Sequence, residues 1–81
     1  MRTFSPQLLR QARRDARMSQ EMLARKTGLS RAAIAAIEGG VNVPLCNTLA
    51  LLAWALCKTE AYFFADPVQT TEHLMPIARN G

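Results

Sequence analysis

Apolar positions in this chain recur at helical spacing, and each run is closed by a residue that breaks helices. Leu8, Leu9, Ala12 and Ala16 fall on one side of a helix, with arginines between them. Ser5 followed by Pro6 is a cap with proline at the first helical position, so the first helix begins there and is expected to end near Arg17. Ser19 caps a second helix, with Glu21 in its first turn and Met22, Leu23 and Ala24 as its apolar surface up to Thr27. Gly28 breaks that helix, Leu29 tucks inward, and Ser30 caps a third helix that runs to Gly39-Gly40. "VNVPLC" reads as a loop, because Pro44 disfavours helix at the residue before it.

Asn47 is the expected cap of a fourth helix, "TLALLAWALC", with Leu49, Leu52, Ala53 and Leu56 as its inner stripe. "EAYFF" makes a short fifth helix or a single turn that lays Phe63 or Phe64 on the core. No stretch alternates in the manner of a strand. The expectation is an all-α, compact five-helix domain over residues 1–64. Residues 65–81, with two prolines and little periodicity, form a tail that is disordered or contacts a partner.

Composition agrees with one small domain. The chain has 81 residues, 49% of them hydrophobic and 20% charged, so a packed core is expected rather than disorder. No apolar run reaches the roughly 18 residues needed to cross a bilayer, and the start lacks the apolar segment of a secretory signal. A cytoplasmic protein is the expectation. Cys46 and Cys57 lack metal-ligand spacing, and His73 is the only histidine, so the thiols are expected to be reduced and mostly buried. With six scattered carboxylates and no phosphate loop, the chain offers no catalytic residues, metal ligands or cofactor site.

Charge placement sharpens the picture. Arg2, Arg10, Arg13, Arg14, Arg17, Arg25, Lys26 and Arg31 face only Asp15 and Glu21 in residues 1–31, leaving that part at +6. Residues 32–81 stand at −2, from Lys58 and Arg79 against Glu38, Glu60, Asp66 and Glu72, which together give the net charge of +4. A basic half on a small domain attracts polyanions, nucleic acid first.

Helix, glycine turn and helix within about 20 residues is the helix-turn-helix arrangement, whose second member enters the major groove. Ala24 is small where the two helices approach, Gly28 is where the chain turns, and Leu29, Ile34 and Ile37 face inward. "MSQEMLARKTGLSRAAIAAIEGG" resembles the helix-turn-helix of the lambda-repressor-like (Cro/repressor, Xre-type) DNA-binding domains. The shared pattern is Ser-Gln opening the second helix, Leu-Ala inside it and Gly-Leu-Ser at the turn. Ile-x-x-Ile-Glu-x-Gly then closes the third helix, and a proline follows. With "TLALLAWAL" and "AYFF" matching the later helices, the resemblance covers roughly residues 7–64.

That resemblance implies a five-helix bundle, usually dimeric on double-stranded DNA, that regulates transcription. It implies backbone contacts from Gln20 and Ser30, with Gln20 also bracing the first reading residue of the third helix. Arg31 and Ala32 fall at the first reading positions and Ala36 one turn on. Glu38 matches a glutamate that pairs with an arginine of the first helix, here Arg13. The loop "GGVNVP" departs from the family in having no Lys or Arg, which leaves Asn42 and main-chain amides to hold the backbone, with Arg10 and Arg14 supplying charge from the first helix.

The third helix departs too, since its outer face is nearly bare. About 100° per residue puts Ala32, Ala35 and Ala36 opposite Ile34 and Ile37, with Arg31 beside them. Alanine permits close approach to the groove floor, where its methyl can meet a thymine methyl, and Arg31 can take guanine O6 and N7. The leading reading is therefore a sequence-specific regulator acting as a homodimer on a near-palindromic site, with Trp54, Tyr62 and Phe64 either meeting the second copy or completing the core. The competing readings are a protein-interaction module resembling an antitoxin, docked through the tail, and one domain of a larger effector-sensing regulator.

Overall fold

A computed structural model describes residues 2–66. The elements in chain order are β1 (Thr3–Phe4), α1 (Pro6–Asp15), α2 (Gln20–Thr27), α3 (Arg31–Glu38), α4 (Cys46–Leu56), a 3-10 turn (Glu60–Phe63) and β2 (Phe64–Ala65). Among the described residues four α-helices are present rather than five, because "EAYF" closes as a single 3-10 turn too short for α-helical bonding.

Each early boundary has a local cause. Ser5, Ser19 and Ser30 each accept a hydrogen bond from the third residue onward, Leu8, Met22 and Ala33, at 3.3, 3.0 and 3.0 Å. α1 stops at Asp15, short of the expected Arg17, because Arg17 turns left-handed at φ 61° and the Met18 N–H donates back to the Arg13 carbonyl at 3.1 Å. Asn47 is not the cap of α4. Leu45 holds that position without a side-chain bond, while the Asn47 side-chain Oδ1 accepts from the adjacent Thr48 N–H at 2.9 Å.

The core is one cluster drawn from every helix. Leu9, Leu23, Ile34, Leu52 and Phe63 are fully buried, joined by Ala12, Ala24, Ile37, Leu49, Ala53 and Leu56. The expected inner stripe of α4 is therefore present, and Phe63 rather than Phe64 fills the core. Phe4, Leu29, Tyr62 and Phe64 pack on its edge.

Contrary to the strand-free expectation, β1 and β2 pair antiparallel, Thr3 with Ala65 and Phe4 with Phe64. Two residues per strand leave no room for an alternating pattern, so nothing in the sequence announces them. An edge-on contact of Phe4 and Phe64, centroids 6.3 Å apart, and a 2.7 Å bond from the Ser5 N–H to the Phe63 carbonyl fasten this clasp. The fold thus includes Ala65; the remainder of the expected tail, after Asp66, lies outside the described residues.

Both cysteines are exposed, not buried as expected. Cys46 is the first residue of α4, and Cys57 caps its end with φ 58° in the left-handed region. There the Lys58 N–H donates to the Ala53 carbonyl at 2.9 Å, the six-to-one bond that usually has glycine beside it. The left-handed conformation costs an L-residue roughly 1–2 kcal/mol, part of which glycine forfeits through its freer unfolded chain. Cys57→Gly is accordingly expected to stabilise the domain by about 0.5–1 kcal/mol in urea unfolding. A loss of stability would contradict that account of the helix end.

Candidate nucleic-acid interface

The turn between α2 and α3 is closed by a residue whose role went unread in the sequence. The buried Thr27 hydroxyl donates to the Leu23 carbonyl at 2.8 Å and accepts from the Leu29 N–H at 3.3 Å. It satisfies its own polar group and ties Leu29 to the end of α2. Its signal, a threonine four residues after a core leucine and directly before glycine, also fits an ordinary helix end. At Gly28 the need is conformational, since φ is 81° and open space surrounds the place a Cβ would take.

Ile34 and Ile37 seat α3 in the core, and its far end is anchored by charge. Glu38 is only 3% exposed. Its Oε2 accepts from Arg13 Nε at 2.6 Å and its Oε1 from Arg13 Nη2 at 3.0 Å, a two-pronged pairing across α1 and α3. Arg13 also donates to the Met18 carbonyl at 2.8 Å, which fixes the corner between α1 and α2. The expected Arg13–Glu38 pair is thus present, and it is buried rather than solvent-exposed.

Two more groups converge on Glu38. Gln20 Nε2 donates to Oε1 at 3.1 Å. Arg10 donates through Nη2 to the Glu38 carbonyl at 3.1 Å and holds Nε 3.8 Å from Oε1. Burial pushes the Glu38 carboxyl up, but the Arg13 and Gln20 hydrogen bonds and the charges of Arg13 and Arg10 outweigh it and hold the group below its ordinary range. The Arg13 guanidinium is shifted up, chiefly by its bond to Glu38 and against the effect of burial.

The outer surface of α3 is as bare as its spacing predicts. Arg31, Ala32 and Ala35 are exposed, whereas Ala36 is only half-exposed. The Ala36 carbonyl accepts the Val41 and Asn42 N–H groups at 2.9 and 3.3 Å, so the loop folds back beside it. Ser30 and Asn42 are exposed nearby, and Arg14, Arg17 and Arg31 make no ion pair among the described residues. Arg25 is 3.5 Å from Glu21 on open surface, a pairing worth little. On α4, Trp54 is 62% exposed under the Lys26 ammonium, while Tyr62 and Phe64 are half-buried on the core.

Among the described residues no helix is long and apolar enough to cross a membrane, and no three His, Cys, Asp or Glu side chains gather as metal ligands. Two short helices around a left-handed glycine, the second seated by isoleucines and outwardly exposed, define a helix-turn-helix.

Comparison with known proteins agrees. A family profile described as "Helix-turn-helix domain" matches residues 7–60. The chain belongs to that helix-turn-helix family, in its lambda-repressor-like (Cro/repressor, Xre) type, the DNA-binding domains of transcription regulators. Among solved structures it is similar to the restriction-modification controller protein C.AhdI from Aeromonas hydrophila, at 32% identity and TM-score 0.70 over 73% of this chain and 89% of that one. It also resembles a hypothetical transcription factor, NHTF, from Neisseria, at 25% identity and TM-score 0.72 over 84% of this chain and 78% of that one. An HTH_3 family transcriptional regulator from Vibrio cholerae matches at 29% identity and TM-score 0.67 over 72% of this chain, which spans a third of it. Comparison with curated protein sequences returns no match.

The buried pair carries a test. Glu38→Gln leaves Arg13 without its anion and is expected to cost about 3–5 kcal/mol at neutral pH. Because the folded carboxyl titrates below its unfolded value of about 4.3, its contribution is full above that value and fades as pH falls through the folded one. The stability gap between wild type and variant therefore narrows on acidification. A gap unchanged down to about pH 2 would show that the charge pair is not its source.

Proposed function

We propose that the chain is a sequence-specific transcription regulator that lays α3 in the major groove of a near-palindromic operator as a homodimer, acting in the cytoplasm on the nucleoid. The observation that supports this best is the pairing of an exposed Arg31, Ala32 and Ala35 surface with a buried Ile34, Ile37 and Glu38 face on one helix. A helix so held offers a fixed outer surface at groove depth. Arg31 takes a guanine edge, Ala32 and the less accessible Ala36 meet thymine methyls, and groove shape supplies the rest. Ser30, Asn42, Arg10, Arg14 and Gln20 hold the backbone.

The second copy docks on the outer side of α4. That helix has no charged residue, and Leu51 and Trp54 stand exposed on it at 39% and 62%. The helix itself brings no charge to such a contact, and the Lys26 ammonium of α2, over the Trp54 ring, lies at its border. Tyr62 and Phe64 contribute less, being packed on their own core.

Selection of bound duplexes from random DNA, followed over a salt series, tests the reading. An enriched two-fold motif is expected, with Arg31→Ala losing preference at one base pair by about 1–3 kcal/mol. A uniform loss would assign Arg31 to phosphate, and no motif with binding gone near physiological salt would favour a protein-interaction module. Trp54→Glu is expected to leave the fold intact and affinity for a single half-site unchanged. It should weaken binding to the two-half-site duplex by at least about a hundredfold. Equal binding to both duplexes by wild type would remove the dimer.

A further inference from the structure

Cys46 opens α4 and Cys57 closes it, and both thiols are exposed. At about 100° per residue, their α-carbons fall within about 20° of each other around the helix axis. Ala50 and Trp54, also exposed, lie between them along the axis and on the same face. Leu49, Leu52, Ala53 and Leu56 face the core, and no charged residue interrupts the outer strip. Cys57 is left-handed at φ 58°, a conformation that suits glycine, so the helix end itself gives no reason for a cysteine there.

The midpoint of α4, between Leu51 and Leu52, is equally far in sequence from Cys46 and Cys57. Take two antiparallel copies of α4 and a two-fold axis level with that midpoint, perpendicular to the plane they share. Cys46 then stands level with the partner's Cys57 and on the same side of the pair. The same axis, to within a residue, sets Trp54 across from the partner's Ala50, a large side chain against a small one. Helices packed about 8–10 Å apart can bring such α-carbons to the roughly 4.4–6.8 Å that a disulfide needs.

We propose that the outer face of α4 is an oxidation-sensitive latch, in which two docked copies are joined by two Cys46–Cys57 disulfides when the chain meets a hydroperoxide. The proposal rests on the homodimer reading above. One thiolate attacks a peroxide oxygen, the O–O bond breaks, and a sulfenic acid forms while hydroxide takes the thiol proton and leaves as water. The facing thiolate attacks that sulfur, the S–S bond forms, the S–O bond breaks, and a second water leaves. Each bridge thus gives two electrons and two protons to one peroxide. Under reducing conditions the thiols stay free, and the dimer dissociates on dilution. Bridged, it cannot.

Treating the purified full chain with hydrogen peroxide tests this, read on non-reducing gels and by mapping the linked peptides. Wild type is expected to give a covalent dimer joined Cys46 to Cys57 and released by dithiothreitol. Each bridge needs one thiol of each kind. Cys46→Ser and Cys57→Ser are therefore each expected to give no dimer, while a mixture of the two variants gives a singly bridged one. Trp54→Glu, which undocks the copies, is expected to slow bridging at least about tenfold through lost effective concentration. Bridged wild type is expected to hold the two-half-site duplex at least about tenfold more tightly, at protein concentrations low enough to dissociate the reduced dimer. A covalent dimer from either serine variant alone, or from Trp54→Glu at the wild-type rate, would overturn the latch. So would a reduced chain that sediments as a dimer yet forms no bridge. A reduced chain that stays monomeric and binds both duplexes equally would remove the homodimer reading, and the latch with it.

Discussion

The pairing of Glu38 with Arg13 holds the arrangement on which everything else depends. A helix of eight residues is too short to persist alone, and α3 presents only Ile34 and Ile37 as large apolar anchors. Its last residue is therefore pinned by a buried carboxylate. Desolvating that charge is costly, and the cost is offset because Arg13 meets both oxygens, Gln20 donates to Oε1 and the Arg10 charge stands 3.8 Å away. Hydrophobic packing sets the depth of α3, and the charge cluster sets its angle to α1 and α2.

That division of labour frees the outer surface. Because Arg31, Ala32 and Ala35 stand exposed outside the core, the proposed reading surface can consist of alanine methyls and one arginine. Such a surface discriminates through close approach and groove shape more than through a set of hydrogen bonds. On the proposed reading, base-independent attraction comes from arginines on α1 and from Arg17 beyond its end. The uncharged outer side of α4 is remote in chemistry from both tasks, which suits it to a second copy.

Much of this was legible in the sequence, and the reasons differ by element. Ser5, Ser19 and Ser30 announce helix starts because a hydroxyl cap acts locally, and Gly28 announces the turn because its φ is a local demand. The Arg13–Glu38 pair was accessible only through the resemblance, since nothing local tells a buried carboxylate from a solvated one. The resemblance implies that Gln20 holds a phosphate and braces the first reading residue of the third helix, whereas its amide reaches Glu38 at the far end of that helix, a contact set by tertiary placement. The two-residue strands, the exposed cysteines and the start of α4 at Cys46 escaped for related reasons. A clasp that short has no periodicity, and a helix opening at Leu45 without a side-chain cap is indistinguishable from loop. The single 3-10 turn at "EAYF" carries the same apolar residues as a short helix would.

Mapping backbone amide shifts while the selected duplex is added tests the central claim most directly, namely that α3, held by Glu38, is the surface that meets DNA. The account predicts the largest changes at Gln20 and at Ser30, Arg31, Ala32 and Ala35, with the α4 residues Leu51 and Trp54 responding only as copies associate. Changes centred on α4 and its preceding loop, with α3 silent, would contradict it.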